Sequence, residues 1–159
     1  MYATDMNIRK PQKNDIEIIR KILSQWTEKD EVEKYIERIL NEINNKIEFN
    51  TRFWVITDNA IPIGVGGISE PLPKVKYLSK GNNPAEIKIL YLDNNSRGKG
   101  AGKKLLVFLE NVLFDKNHDE IIIRSAEKYK DTAYGFYEKF GYKLVDYIDN
   151  NMAVFIKSL

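Results

Sequence analysis

The chain has 159 residues, 43% of them hydrophobic and 30% charged, with a formal net charge of +2 and no cysteine. That length and balance suit one soluble domain over residues 1–159, able to bury roughly 68–70% of its unfolded surface without a disulfide or metal staple. Disulfides and thiolate metal sites are excluded, the single histidine, His118, cannot build a multi-histidine centre, and so small a net charge argues against a nucleic-acid partner. The N-terminus MYATDMNIRK lacks the apolar core of a secretory leader, and the longest uninterrupted apolar stretch, Leu105–Leu109, is far short of a membrane span. The expectation is a cytoplasmic protein with no membrane partner.

Residues 6–10 (MNIRK) read as a short first strand. Asp15 reads as an N-cap, with Ile16, Ile19, Ile22 and Leu23 behind it at helical spacing. A second helix is predicted over Lys29–Asn44, with Val32, Tyr35, Ile36, Ile39, Leu40 and Ile43 on one face and the charged residues in solvent. RFWVITD (52–58) and IPIGVGGIS (61–69) read as strands joined by a tight turn at Asn59–Ala60. Residues 71–84, with Pro71, Pro73, Gly81 and Pro84, read as a long loop. AEIKILYLD (85–93) is the next strand, followed by a glycine-rich stretch and a helix to about Asp115. EIIIRSA (120–126) is a strand rich in β-branched residues. Asp131 or Thr132 is expected to cap a short helix whose apolar face is Ala133, Phe136, Tyr137 and Phe140, with Gly141 as its stop. YKLVDY (142–147) and MAVFIK (152–157) close the chain as a hairpin turning at Asp149–Asn151. The expected fold class is α/β, a central mixed sheet flanked by helices. The strand–helix–strand unit from 85 to 125 should be a right-handed crossover between a parallel pair.

RGKGAGKK (97–104) packs three glycines and four cations, with no acid, between that strand and its helix. A helix N-terminus exposes unpaired N–H groups and a partial positive charge, and glycines let the backbone approach an oxyanion closely. Arg97, Lys99, Lys103 and Lys104 raise the local potential. The stretch therefore reads as a phosphate or pyrophosphate cradle. It is not a Walker A loop: Lys104 stands where Ser or Thr is required, and Arg97 where the first glycine is required. Nor does it satisfy G-x-G-x-x-G, because the third glycine position falls on Lys103 or Leu105.

Arg97-x-x-Gly100-x-Gly102 resembles the [Q/R]-x-x-G-x-[G/A] signature of the GCN5-related N-acetyltransferases, the GNAT superfamily. AYGFYEKFGYKL (133–144) resembles that family's second landmark, A-x-x-F-Y-E-K-x-G-F, and the order of elements is similar along nearly the whole chain. The resemblance implies an acetyl-CoA-dependent N-acetyltransferase, with a mostly antiparallel sheet containing one parallel pair, and no metal. It implies that Arg97, Gly98, Lys99, Gly100, Ala101, Gly102 and Lys103 hold the cofactor's pyrophosphate. It also implies that backbone groups of Leu90, Tyr91 and Leu92, on a splayed strand, pair with the thioester carbonyl and the pantetheine arm.

Three steps then need residues. An alkylamine of pKa roughly 10.4 must lose a proton before it attacks. Glu86, eleven positions before Arg97, matches the place where some family members carry a general-base glutamate; the alternative is a strand-end carboxylate paired with Lys88. The charge on the tetrahedral oxygen needs N–H donors, for which the backbone at Leu90–Leu92 is the candidate. The departing thiolate needs a proton, and Tyr137 matches the family's tyrosine near the sulfur; the alternative is a core aromatic. Lys130 stands where many members have an asparagine that bonds the pantetheine, which weakens one expected contact, and Lys128 or Lys130 could instead face the 3′-phosphate.

Trp26, Tyr77 and Tyr91 are candidates for the acceptor pocket, with packing as the alternative for each, and His118 reads as a surface residue. Acidic residues near Trp26, namely Glu28, Asp30 and Glu31, could attract a cationic amine or serve only as a solvated helix start. The acceptor is an amine on a small molecule or a protein, and the terminal strands are a candidate dimer edge. The rival reading is a catalytically silent CoA-binding regulatory module. A nucleotide-binding P-loop and a nucleic-acid binder are weaker rivals.

Overall fold

Seven strands line up among residues 5–159, which are the residues described by the computed structural model of the chain. Residues 1–4, part of the segment read for a leader, lie outside them. The strands are β1 (Met6–Arg9), β2 (Arg52–Asp58), β3 (Ile61–Ser69), β4 (Pro84–Leu92), β5 (Glu120–Ser125), β6 (Lys143–Ile148) and β7 (Met152–Ser158). Their order across the sheet is β1-β2-β3-β4-β5-β7-β6. The helices are α1 (Ile16–Ser24), α2 (Lys29–Ile43), α3 (Pro73–Lys76), α4 (Ala101–Asp115) and α5 (Tyr134–Lys139). β4 and β5 are parallel, in register from Pro84↔Glu120 to Ile87↔Ile123, and the pairs β1–β2, β2–β3, β5–β7 and β6–β7 are antiparallel. The expected mixed sheet with one parallel pair is therefore present. A parallel pair needs a crossover longer than a hairpin, and α4 supplies it.

The chain divides into two compact units. One holds the chain through Ile68 together with Ile89–Leu109, and the other holds Ser69–Lys88 together with Glu110–Leu159. In the first, strand alternation sorts the side chains by face. Phe53, Val55, Val65 and Ile89 join the apolar stripes of α1 and α2 in a core that includes Ile19, Leu23 and Ile39, each 0% exposed. On the opposite face, a Cβ at Gly66 would lie 2.9 Å from Leu109 and 3.3 Å from Leu105 of α4. Glycine there lets α4 sit close on the strand, and Trp54 meets Phe108 of the same helix edge to face at 5.6 Å. The Asn59–Ala60 turn has φ of +50° and +69°, the paired left-handed geometry of a two-residue hairpin.

In the second unit, Val75, Ile122 and Val154 form a small core with Leu72, Leu78, Ile148 and Ile156. Residues 71–84 are thus more than the loop expected, because Pro73 opens the one-turn helix α3 and its Val75 is fully buried. Proline at the first helical position presets φ and forgoes an N–H that has no partner anyway. The other face of β7 carries Phe155, against which Tyr134 and Tyr137 of α5 pack at 5.2 and 5.7 Å. Neither Asp131 nor Thr132 caps α5. The N-cap is Ala133, and the Thr132 hydroxyl donates to the Tyr129 carbonyl instead. The buried face is correspondingly Tyr134 and Tyr137, with Ala133, Phe136 and Phe140 only partly covered. Gly141 does end the helix: its φ is +93°, its N–H returns to Glu138, and the Tyr142 N–H returns to Tyr137. The edge strand β6 is exposed along most of its length, and a bulge between Leu144 and Asp146 interrupts its ladder with β7.

Asp15 is the N-cap residue of α1, as expected, but its side chain makes no cap hydrogen bond to that helix. The chain enters α1 through a 3-10 turn (Lys13–Asp15) opened by Gln12 in extended conformation, and Asp15 closes that turn. Its carboxylate accepts the Gln12 N–H at 2.7 Å and both prongs of Arg9 at 2.6 and 3.0 Å. The Arg9 hydrogen bonds hold the Asp15 carboxyl below its ordinary value, against the opposing effect of burial. A lowered folded pKa stabilises the native state above the unfolded value of roughly 3.9, and that stability is lost as pH falls through the lower folded value. Asp15→Asn should therefore cost about 1.5–3 kcal/mol in urea melts at pH 7. The gap from wild type should narrow in acid, as pH falls through the lowered folded value. A gap of equal size at pH 7 and in acid would show that the ionised pair contributes nothing.

Candidate functional site

The glycine stretch joins β4 to α4, as expected. β4 ends where the Asp93 N–H donates to the Ile63 carbonyl at 2.7 Å, and a 3-10 turn (Asn94–Ser96) redirects the chain. Gly98 and Gly100 then adopt φ of +81° and +78°, and a Cβ at either would meet nothing within 4 Å. The first requirement favours glycine, and the second leaves the loop surface open. Ala101 starts α4 and is buried, Gly102 is half-buried, and Arg97, Lys99 and Lys103 are exposed. The Lys104 N–H returns to the Gly100 carbonyl at 3.1 Å, so the amides before it are those an α-helix leaves without intrahelical partners. The first turn of α4 carries no acid. Turned-out amides, the positive end of the helix dipole and three exposed cations converge at one place. The dipole alone stabilises an anion there by about 0.3–1 kcal/mol. Lys99 lies 3.5 Å from Asp58, and the Lys104 ammonium donates to the Met6 carbonyl. Lys104 thus braces the loop rather than facing a ligand.

The end of β4 is held from the side by the end of α1. The Trp26 indole N–H donates to the Leu92 carbonyl at 2.7 Å, its ring stacks on Tyr91 at 6.3 Å, and the Arg97 guanidinium lies over it at 4.7 Å. The Gln25 side-chain amide donates to Asp93 and accepts the Asn94 N–H, both at 2.8 Å. Trp26 and Tyr91 therefore brace the end of β4 where the glycine-rich stretch begins, whereas Tyr77 is exposed. Gln25 carried no signal in the sequence, because a polar residue at a helix end is ordinary. Leu90, Tyr91 and Leu92 are half-buried, and the β4–β5 ladder ends before them, at Ile87↔Ile123. The Leu92 carbonyl, expected to be available to the pantetheine arm, accepts the Trp26 indole.

In the second unit, Glu86 is 1% exposed. Its Oε1 accepts the Arg124 Nε–H at 2.5 Å; its Oε2 accepts the Leu72 N–H at 3.3 Å and lies 3.5 Å from the Lys88 ammonium. The Lys88 pairing read from the strand alternation is present, but the nearer partner is Arg124, which the sequence reading passed over. It is the one charged residue after the apolar run Ile121–Ile123. A lone cation ending a buried strand is the signal that could have marked it.

Tyr137 is buried, with its ring against Phe136, Tyr142 and Phe155. Burial, and then the neighbouring Tyr129, push its phenol well above the ordinary value, so it stays protonated at neutral pH. Its hydroxyl has no protein partner among the described residues. Tyr142 differs: its hydroxyl is committed to Glu110 at 2.8 Å, and Lys157 meets the same oxygen at 2.9 Å. His118 is partly covered, with Nδ1 3.1 Å from the Asn83 carbonyl. Among the described residues there is no group of three or more His, Asp or Glu that could hold a metal, and no helix long and apolar enough to cross a membrane.

The profile of the acetyltransferase (GNAT) family matches residues 16–142. Solved structures share the fold. The PaiA N-acetyltransferase of Thermoplasma acidophilum in complex with coenzyme A is 20% identical, with 98% of this chain and 99% of that chain covered and a TM-score of 0.73. Ard1 of Thermoplasma volcanium is 19% identical, with 97% of each chain covered and a TM-score of 0.72. A chain in the NatC complex bound to Gag peptide and CoA is 20% identical, with 97% and 98% covered and a TM-score of 0.70. At such identities the likeness carries the fold alone. A search of the curated proteins gave no match.

Proposed function

Because the chain belongs to the acetyltransferase (GNAT) family, we propose that it is an acetyl-CoA-dependent N-acetyltransferase, one catalytic domain over residues 1–159 acting on an amine. The observation that carries this is the cradle: two glycines with left-handed φ and open surface, at the start of a helix flanked by exposed Arg97, Lys99 and Lys103. That arrangement fits a pyrophosphate, whose oxygens need several N–H donors within reach of the backbone. Arg97 through Lys103 would hold it. Support for a single domain comes from the three borders of the two units, which fall inside β3, β4 and α4 rather than in linkers.

The co-substrate supplies an acetyl thioester activated for transfer. The chain's part is to place it, to offer N–H donors to its carbonyl and to deliver a proton to sulfur. Donors to the carbonyl fall to the backbone of Leu90–Leu92, beyond the end of the β5 ladder. The proton donor is Tyr137, whose raised pKa keeps it protonated and whose hydroxyl is not spent on a protein partner. Glu86 belongs to the site, and its task is argued below. What neighbours with bound CoA or peptide act on is a property of those proteins; for this chain the acceptor is an amine on a small molecule or a protein.

Calorimetric titration tests the reading. Acetyl-CoA and CoA should bind with micromolar affinity, and ATP should not. An absence of CoA binding would refute the cofactor assignment. Binding without transfer to any amine would favour a silent CoA-binding module.

A further inference from the structure

Glu86 sits where an acetyl-transfer site would place a base, yet its surroundings suit a different task. Its Oε1 faces the Arg124 Nε, its Oε2 faces the Leu72 N–H and the Lys88 ammonium, and the carboxylate is 1% exposed. A general base must reach the proton that it takes. A carboxylate enclosed by three donors and shut from solvent is poorly placed for that, but it is well placed to fix an arginine.

Arg124 is only partly used by this pair. Its Nε is committed to Glu86, while neither Nη nitrogen has a protein partner among the described residues. Among the described residues no buried side-chain nitrogen is unsatisfied, and the Arg124 side chain is 17% exposed, so its Nη groups reach accessible space. The guanidinium is thus anchored at one corner, with its two-pronged edge turned outward. That edge matches the two oxygens of a carboxylate.

We propose that Arg124, oriented by Glu86, is the subsite for a carboxylate on the acceptor, and that the acceptor is a small amine of amino-acid type. Arg124 touches the substrate, and Glu86 is a positioning residue that acts through it. This rests on the acetyl-transfer reading above.

The test uses matched acceptors, α- and β-amino acids against their carboxamides, which differ only in the carboxylate. Wild type should acetylate the acids with KM at least 10-fold below that of the amides. In Arg124→Gln the acids should lose this advantage through a 10- to 100-fold rise in KM rather than a fall in kcat, and Arg124→Lys should restore part of it. Glu86→Gln should follow Arg124→Gln in KM and keep the acid limb of the wild-type pH–rate profile. Equal treatment of acids and amides by wild type would overturn the proposal. So would a Glu86→Gln enzyme whose kcat falls 100-fold or more on both sets with loss of that acid limb, since Glu86 would then be the base. If Glu86→Gln does not fold, the two Arg124 variants decide the matter alone. The two readings fail separately. Absence of CoA binding defeats acetyl transfer, while titration with N-acetyl amino acids against their amides still reports on the Arg124 fork, with no difference between them counting against it.

Discussion

Gly100→Asp should weaken CoA binding at least 100-fold while the protein stays folded. The φ of +78° at Gly100 costs a residue with a side chain about 1–2 kcal/mol, a loss that lowers the melting temperature by a few degrees without unfolding a domain of this size. A Cβ there meets no protein atom within 4 Å, so the side chain would occupy ligand space and not the core. The carboxylate would also cancel the potential that the helix start, Arg97, Lys99 and Lys103 create. Gly100→Asn separates the two effects. It tolerates the left-handed conformation and fills the same volume without charge, so it should lose about 10-fold. Calorimetry with CoA reads both variants. If both bind as wild type does, the cradle assignment is wrong.

The second large effect is kinetic. Tyr137→Phe should lower kcat about 100-fold, the lower end of what a positioned proton donor contributes, with CoA affinity within 2-fold of wild type. Phenylalanine keeps the ring contacts with Phe136, Tyr142 and Phe155, so the core should survive. The sign of the pH dependence follows from burial. A donor whose pKa is raised loses its proton only above the ordinary phenol value of roughly 10, so wild-type kcat should show no alkaline decline from this group below that pH. A folded Tyr137→Phe enzyme with undiminished kcat would leave Tyr137 a packing residue, and the thiolate would have to take its proton from elsewhere.

The elements whose signal is local were legible. β2 and β3 fell at the residues read from alternation, and the Asn59–Ala60 turn and the Gly141 stop followed from turn and cap chemistry. The glycine-rich junction between β4 and α4 was legible for the same reason: glycines, cations and the strand–helix boundary lie within eight consecutive residues. The misread elements were those whose state is set by distant partners. α3 exists because Val75 is buried among Ile122 and Val154, some fifty and eighty residues away. Asp15 holds the N-cap position of α1, but its carboxylate turns back to Gln12 and to Arg9, which arrives from a strand, instead of bonding the helix amides.

The amino-acid sequence alone thus determined the family, the order of elements, the parallel crossover and the glycine-rich entry to α4, because each rests on periodicity or on residues close in the chain. Tertiary structure alone decided what the isolated polar residues are for. It put Gln25 and Trp26 against the turn that follows β4, left the Tyr137 hydroxyl without a protein partner among the described residues, and set Arg124 against Glu86 across thirty-eight residues. A hydrogen bond depends on distance and direction in space. Where two partners are far apart in the chain, only the packed fold fixes either.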